Sequence, residues 1–277
     1  MVGVGQGTAA RGVVHELNGA YWDRVLECWE PTLTHRLWRA HSDAVNRRLL
    51  RRWLAPGSGR LLKTDLFDEA VGSGLYPELA ARSQEVVGID LSAGVVRAAL
   101  QRYPDLDARV GNVRALPFAD GSFDVVLSNS TLDHFDSHAK LRAAIAELAR
   151  SIRPGGELII TLDNRMNPII ALRTSKLLSG TLHRLGVVPY FVGVTCGHRS
   201  LSELLREASF EVEEITAVMH CPPQLAAWWA ARTGASACAG DRAELRHLQR
   251  VLRFETMERW PMRHLTGHFV GALATRR

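Results

Sequence analysis

Apolar positions in this chain recur first at helical spacing and then in short runs with helical stretches between them. Tyr21, Trp22, Val25, Leu26 and Trp29 fall three and four residues apart, and Leu49, Leu50, Trp53 and Leu54 resume the pattern. This predicts helix throughout residues 14 to 55. Pro56, Gly57, Ser58 and Gly59 then stop the helix and form a linker. Beyond it, apolar runs predict strands at Arg60–Phe67, Glu85–Ile89, Ala108–Val110, Asp124–Ser128 and Glu157–Leu162. Helices are expected between most of them, at Tyr76–Arg82, Ala93–Arg102 and Ser137–Ile152. Strands alternating with helices over this length imply an α/β architecture, a parallel sheet covered on both faces.

The pattern changes after Asp163. An apolar, helix-like piece runs from Ile169 to Leu185, and a loop with Pro189, Gly193 and Gly197 follows. Ser200–Ser209 reads as helix, Phe210–Met219 as strand and His268–Thr275 as the last strand. Residues 220 to 263, between those strands, look largely helical, with Trp228, Trp229, Leu245, Leu248 and Leu252. No internal repeat or low-complexity tract is visible.

Composition narrows the class. Of 277 residues, 46% are apolar and 23% charged, enough for a filled core and too apolar for global disorder. No uninterrupted apolar run reaches about 18 residues, so no membrane-spanning helix is expected. The stretch Met1–Arg11 is Gly-rich without a signal peptide's apolar core, which points to a cytoplasmic protein. The net charge of +5 is scattered, apart from Arg47, Arg48, Arg51, Arg52 and Arg60. A short basic run at helical spacing reads as a solvated face, so a nucleic-acid partner is not expected. Cys28, Cys196, Cys221 and Cys238 lie far apart and read as reduced, structural thiols. The eleven histidines form no HExxH or comparable zinc pattern, and no metal site is expected.

The chemistry concentrates between Arg60 and Asp90. With strand one ending at Phe67-Asp68, the turn Glu69-Ala70-Val71-Gly72-Ser73-Gly74 leads into a helix near Leu75. Glycines at a strand-to-helix turn let the backbone approach a ligand closely. Asp90 closes the second strand, where an acid can accept both hydroxyls of a ribose. A structural turn plus a helix-capping acid is the simpler alternative, but Ser92 can cap the next helix and leave Asp90 for a ligand. Lys63-Thr64-Asp65 is polar within an expected central strand. Alternation puts Lys63 and Asp65 on one face, where a buried pair needs good hydrogen bonding. It is either a structural ion pair or a device tuning the nearby site.

Four motifs in order resemble the class I S-adenosylmethionine-dependent methyltransferases, in their small-molecule, quinone-methyltransferase-like branch. Phe67-Asp68-Glu69-Ala70-Val71-Gly72-Ser73-Gly74 stands where the family has its acid and glycine-rich loop, and Gly88-Ile89-Asp90-Leu91-Ser92 resembles the ribose-binding strand end. Gly111-Asn112-Val113-Arg114-Ala115-Leu116-Pro117-Phe118 and Gly121-Ser122-Phe123-Asp124-Val125-Val126 resemble the adenine-side loop and fourth strand. Arg153-Pro154-Gly155-Gly156-Glu157-Leu158 resembles the turn before strand five. The resemblance covers residues 60 to 162. It implies a doubly wound, seven-stranded, mainly parallel Rossmann-like sheet whose last strand is antiparallel, with helical lid insertions. Residues 1–59 would be an N-terminal helical lid, 60–163 the cofactor-binding core and 164–199 a lid insertion. Residues 200–277 would complete the core around a helical insertion at 220–263.

The implied cofactor is S-adenosylmethionine rather than NAD, since Leu75 and Tyr76 follow Gly72 and Gly74 where a nicotinamide site keeps a further glycine. By the same resemblance Asp68 and Gly72 would lie against methionine, Gly74 would admit close approach and Asp90 would hold ribose. Asn112 would face adenine with Val113 at the ring edge, and Ala70, Leu91, Ser128 and Asn129 complete the expected contacts. Ala70 replaces the family's first glycine, and Asn112 a common aspartate.

A methyl group on a sulfonium is strongly electrophilic, so the protein mainly aligns an acceptor, excludes water and, for an oxygen acceptor, removes a proton. The candidate bases are His134, with Asp133 or Asp136 to orient it, and His220; either can instead be a packing or loop-capping residue. His264 and His268 are weaker candidates. Asn129-Ser130-Thr131 lacks the Asn/Asp-Pro-Pro-aromatic motif of enzymes that methylate exocyclic or amide nitrogens. The Trp and Tyr residues of 21–38, the apolar 167–192 piece and Trp228-Trp229 are expected to form an aromatic and aliphatic acceptor chamber, including Tyr21, Trp22, His134 and His220. The expected function is methylation of a hydroxyl on a small apolar or aromatic natural product, with carbon or nitrogen methylation next. Alternatives are a cofactor-binding scaffold repurposed for non-methylating or regulatory work, and a nucleic-acid methyltransferase. The expected partner is the small-molecule acceptor, with a homodimer possible and no stable membrane insertion.

Overall fold

The computed structural model describes residues 18–30, 32–174, 193–234 and 241–277. Helix α1 (Gly19–Glu27) begins where the Asn18 side chain accepts from the Tyr21 amide at 3.1 Å. Helix α2 (Leu33–Trp53) begins where Thr32 Oγ1 accepts from the His35 amide at 3.2 Å. The single helix expected over 14–55 is therefore two. Pro31 has no N–H to give and disfavours helix at Glu30, and Thr32 restarts the helix as a new N-cap.

Seven strands form one sheet in the order β3-β2-β1-β4-β5-β7-β6. They are β1 (Ser58–Lys63), β2 (Ser83–Asp90), β3 (Asp107–Val110), β4 (Phe123–Asn129), β5 (Ile152–Asp163), β6 (Phe210–Val218) and β7 (Phe269–Arg276). β7 runs antiparallel to both neighbours and the other pairs are parallel. This is the mainly parallel, doubly wound α/β sheet expected from the resemblance. Alternation sorts its side chains to two cores. Leu62, Val87, Val126 and Ile160 join one under α6 (His138–Ser151) and α8 (His198–Glu207). Leu61, Val86, Val125 and Ile159 join the other under α2 and α5 (Ala93–Arg102). Strand order reverses between β1 and β4, so a crevice opens at their carboxyl ends.

Strand β1 departs from expectation by starting two residues earlier and ending at Lys63 rather than Phe67. Asp65 turns the chain: its Oδ1 accepts from the Phe67 amide at 3.0 Å, and the short helix α3 (Phe67–Val71) begins there. A second short helix, α4 (Tyr76–Ala80), follows. Near the other end of the sheet, α7 (Pro168–Arg173) begins the segment expected to be helical from Ile169 to Leu185, the rest of which lies outside the described residues. The 220–263 insertion comprises α9 (Pro223–Gly234), α10 (Asp241–Val251), a 3-10 helix (Leu252–Arg259) and α11 (Arg263–Thr266). Trp228 does not enter a chamber. Helix α9 buries Ala226 and Ala230, and Trp228, turned away from them, is 48% exposed under the Arg232 guanidinium. Trp229 packs on Phe254 instead.

Candidate active site

The crevice holds about 840 Å³ counting its open mouth. Thr64, Asp65 and Phe67 reach it from beyond β1, Asp90, Leu91 and Val95 from the β2–α5 turn, and Gly111–Arg114 from beyond β3. Thr131, His134 and Phe135 close the far side, and Trp22 of α1 lies over it. Asp23, one residue on, fixes that lid: its Oδ1 accepts from the Ser92 hydroxyl at 2.5 Å and the Gly94 amide at 2.9 Å. Both bonds favour its ionised form and lower its pKa. Ser92 meanwhile caps α5, accepting from the Val95 amide at 3.0 Å.

Asp90 is buried, with Oδ2 accepting from the Leu66 amide at 3.0 Å and Oδ1 from the Ser92 amide at 2.9 Å. Each oxygen keeps a further lone pair. Burial first, and the neighbouring Asp65 carboxylate second, push its pKa up to about 7 against the two amides and Lys63. The Asp65 and Asp90 carboxylates thus repel one another at the crevice wall. Asn112 Oδ1 accepts from the Arg114 amide at 2.9 Å, which shapes the turn after β3 and leaves Val113 at the crevice wall.

Asp90, Leu91, Asn112 and Val113 thus line one crevice, and Trp22 and His134, expected in the acceptor chamber, line it with them. Asp68, Ala70, Gly72 and Gly74 do not, because β1 ends early and α3 stands between its end and the glycines. Asp68 pairs with Arg39, and Ala70, within α3, packs half-buried against the core. Gly72 closes α3 through its amide to the Asp68 carbonyl at 2.9 Å. Gly74, at φ +58°, makes room for a buried side chain rather than a ligand: a Cβ there would lie 2.6 Å from the Glu69 carboxyl. Glu69 takes the Leu75 and Tyr76 amides at 2.8 and 3.1 Å and pairs with Lys63 at 2.8 Å. The partner of Lys63 is therefore Glu69, not the Asp65 carboxylate across a strand face. Burial opposes its charge, but Glu69, Asp65 and Asp90 outweigh burial and raise its pKa.

Ser128 and Asn129 lie beneath the crevice floor. Ser128 Oγ accepts from the Thr64 hydroxyl at 3.1 Å, and Asn129 Oδ1 from Thr161 at 2.8 Å. Tyr21 stands edge-on to Trp22 without lining the crevice. His220 is buried away from it, held by Thr266 Oγ1 at 2.8 Å and the Ala217 carbonyl at 2.9 Å; burial lowers its pKa. With both ring nitrogens engaged it has no access to an acceptor. Thr64, Asp65, Val95 and Lys140 are crevice residues that lie outside the quoted motifs. For the first two, the polar run Lys63-Thr64-Asp65 carried the signal, as such a run suits a strand end better than a strand centre.

His134 ends the turn Leu132–His134 after β4, its ring edge-on to Trp22 at 4.8 Å. Behind it lies a second chamber of about 530 Å³ counting its open mouth, lined by Trp38, Ser130, Asp133, Asp163, Arg173, Pro223, His268 and Phe269, with His134 common to both. Its wall is mixed rather than the largely apolar one expected. Asp133 lies between the Gly193 strap and the sheet: the Gly193 amide donates to the Asp133 carbonyl and the Val194 amide to the Phe135 carbonyl, each at 2.7 Å. A Cβ on Gly193 would sit 1.8 Å from the Phe135 carbonyl. Gly193→Ala should therefore lower stability by about 1–3 kcal/mol, measured by denaturant unfolding. An unchanged midpoint would show that this strap is not packed against the turn.

Residues 67–160 match the family model described as a methyltransferase domain. Over this span the chain is similar to S-adenosylmethionine-dependent methyltransferases. The chain is 28% identical over 191 residues to a probable S-adenosylmethionine-dependent methyltransferase of Mycolicibacterium smegmatis, covering 66% of this chain and 63% of that one. It is 33% identical over 123 residues to a demethylmenaquinone methyltransferase of Renibacterium salmoninarum, covering 43% and 51%. The chain thus spans between half and two thirds of these relatives' lengths. Among solved structures, a geranyl diphosphate C-methyltransferase from Streptomyces coelicolor shares the fold at TM-score 0.54 and 16% identity, over 84% of this chain and 77% of that one. Among the described residues, no helix is long and apolar enough to cross a membrane and no cluster of three His, Cys, Asp or Glu is placed to hold a metal ion.

Proposed function

We propose that this protein is an enzyme that transfers the methyl group of S-adenosylmethionine to a small molecule, with oxygen as the favoured acceptor atom and an aromatic acceptor of quinone or polyketide type. The observation that carries this reading is a pair of carboxylates, Asp65 and Asp90, facing one crevice at the switch point of a methyltransferase sheet. Their repulsion fits a ligand with both a diol and a positive charge. In this reading Asp90 accepts the ribose hydroxyls, and Leu91, Asn112 and Val113 bound the adenine. Asp65 and Thr64, rather than Asp68 and the glycines, face the methionine portion. Bound there, the cofactor would supply an electrophilic methyl group. The chain's own part is to orient both reactants, with Trp22 and its Asp23 anchor excluding water above and His134 dividing donor from acceptor.

Calorimetry with S-adenosylhomocysteine tests the cofactor half, and release of that product from S-adenosylmethionine in the presence of metabolite fractions tests the transfer. Binding without turnover would favour a repurposed scaffold. The Asp90 reading also fixes a pH dependence. Ribose hydroxyls donate to the ionised carboxylate, whose pKa in the free protein is about 7. Affinity should be level above that pH and fall up to about tenfold per unit below it. Calorimetry from about pH 5.5 to 8 checks this. A flat profile would remove the ribose role.

A further inference from the structure

The second chamber carries unsatisfied polar atoms on three of its lining residues: Asp133 Oδ1, Arg173 Nε and His268 Nδ1. Asp133 and His268 are only 3% and 6% exposed. Each is otherwise well held. Asp133 Oδ2 accepts from the Ser130 hydroxyl and the Asp163 amide, both at 3.2 Å, while Oδ1 lies 3.8 Å from His134 Nε2 without a hydrogen bond. Asp163 takes the Arg173 guanidinium on Oδ2 and has His268 Nε2 3.6 Å from Oδ1. A carboxylate only accepts, so the His268 proton belongs on Nε2 and Nδ1 is left as an acceptor. Leaving such groups unpaired costs about 1–3 kcal/mol each, and a ligand that satisfied them would recover it.

We infer that the chamber behind His134 receives an acceptor bearing a hydroxyl beside a carbonyl, with Asp133 Oδ1 as the base for the hydroxyl and Arg173 Nε as the donor to the carbonyl. Trp38 and Phe269 supply faces for an aromatic ring. This rests on the methyl-transfer reading above. In the step, Asp133 takes the hydroxyl proton while the acceptor oxygen forms its bond to the methyl carbon. The carbon–sulfur bond breaks with its electron pair going to sulfur, so a cationic sulfonium and an anionic carboxylate become a neutral thioether and a neutral acid. Burial chiefly raises the Asp133 pKa, to about 6, with Asp163 adding and His134, the Asp163 amide and Ser130 opposing; this brings it nearer the range useful to a base. Arg173 and His268 are the other charged or titratable groups on that wall, and burial keeps His268 neutral, with its pKa lowered to about 4.

The test uses the full chain, S-adenosylhomocysteine and two probes, 2-hydroxyacetophenone and its methyl ether. The wild type should bind the hydroxy compound at least about tenfold more tightly than the ether, the worth of a hydrogen bond to a charged group. D133N should lose that preference and keep its affinity for S-adenosylhomocysteine, which also reports that it folds. R173M should weaken both probes together. Should D133N not fold, the wild-type preference must fade below about pH 6 as Asp133 takes up its own proton. Equal binding of the two probes, binding of neither, or a preference retained in D133N overturns the proposal. Failure of the wild type to bind S-adenosylhomocysteine removes the methyl-transfer reading beneath it.

Discussion

Asp90→Ala should cost the protein at least about 3 kcal/mol of affinity for S-adenosylhomocysteine, more than a hundredfold in Kd. Two ribose hydroxyls bonded to one charged acceptor each contribute about 1.5–3 kcal/mol, and alanine leaves both unpaired. The same side chain also holds the amides of Leu66 and Ser92, so its removal orphans two buried donors. Against that stands relief of a buried charge. Because the folded pKa is raised, the ionised carboxylate destabilises the free protein fully above about pH 7, and this cost shrinks as pH falls toward the unfolded value. Asp90→Asn separates the effects, since its one remaining oxygen can serve an amide but carries no charge. Asn at this position should fold and still lose at least about tenfold in affinity. Calorimetry beside denaturant unfolding measures both quantities. Affinity within twofold of wild type in the alanine variant would show that no ribose is held there.

The sheet was legible because its signal is repeated: seven apolar runs, each flanked by turn residues, leave little freedom in the order of elements. The crevice was legible where a motif coincides with a strand end, as at Gly88-Ile89-Asp90, which ends β2 at Asp90. Motif and crevice separate where the motif does not coincide with a strand end. Gly72 and Gly74 look like a ligand-binding loop, but the conformational freedom of Gly74 serves Glu69. Burial of Lys63 cannot be read from local pattern, since its partner sits six residues on, across a turn made by Asp65. The second chamber was harder still. Trp38, Asp133, Asp163, Arg173 and His268 come from α2, β5, α7 and the segments beside β4 and β7, and meet only in the fold.

Lys63 and Glu69 should prove strongly coupled when each is replaced. They are 3% and 0% exposed, and either charge left alone would be buried without its counter-ion. Lys63→Met or Glu69→Leu should each cost about 3–5 kcal/mol, read from denaturant unfolding. The double replacement should cost much less than the sum, because two apolar side chains avoid the desolvation of both ions. It will not be free, since the Leu75 and Tyr76 amides lose the Glu69 acceptor in either case. Additive losses would mean that the pair does not act as a unit. Lys63 also bears on the site, because its charge is among the influences that lower the Asp90 pKa. Lys63→Met should therefore move the pH at which cofactor affinity falls upward from about 7, an effect that a purely structural lysine would not produce. The ion pair would then do two jobs: it holds the turn after β1 together, and it favours the ionised form of the Asp90 carboxylate.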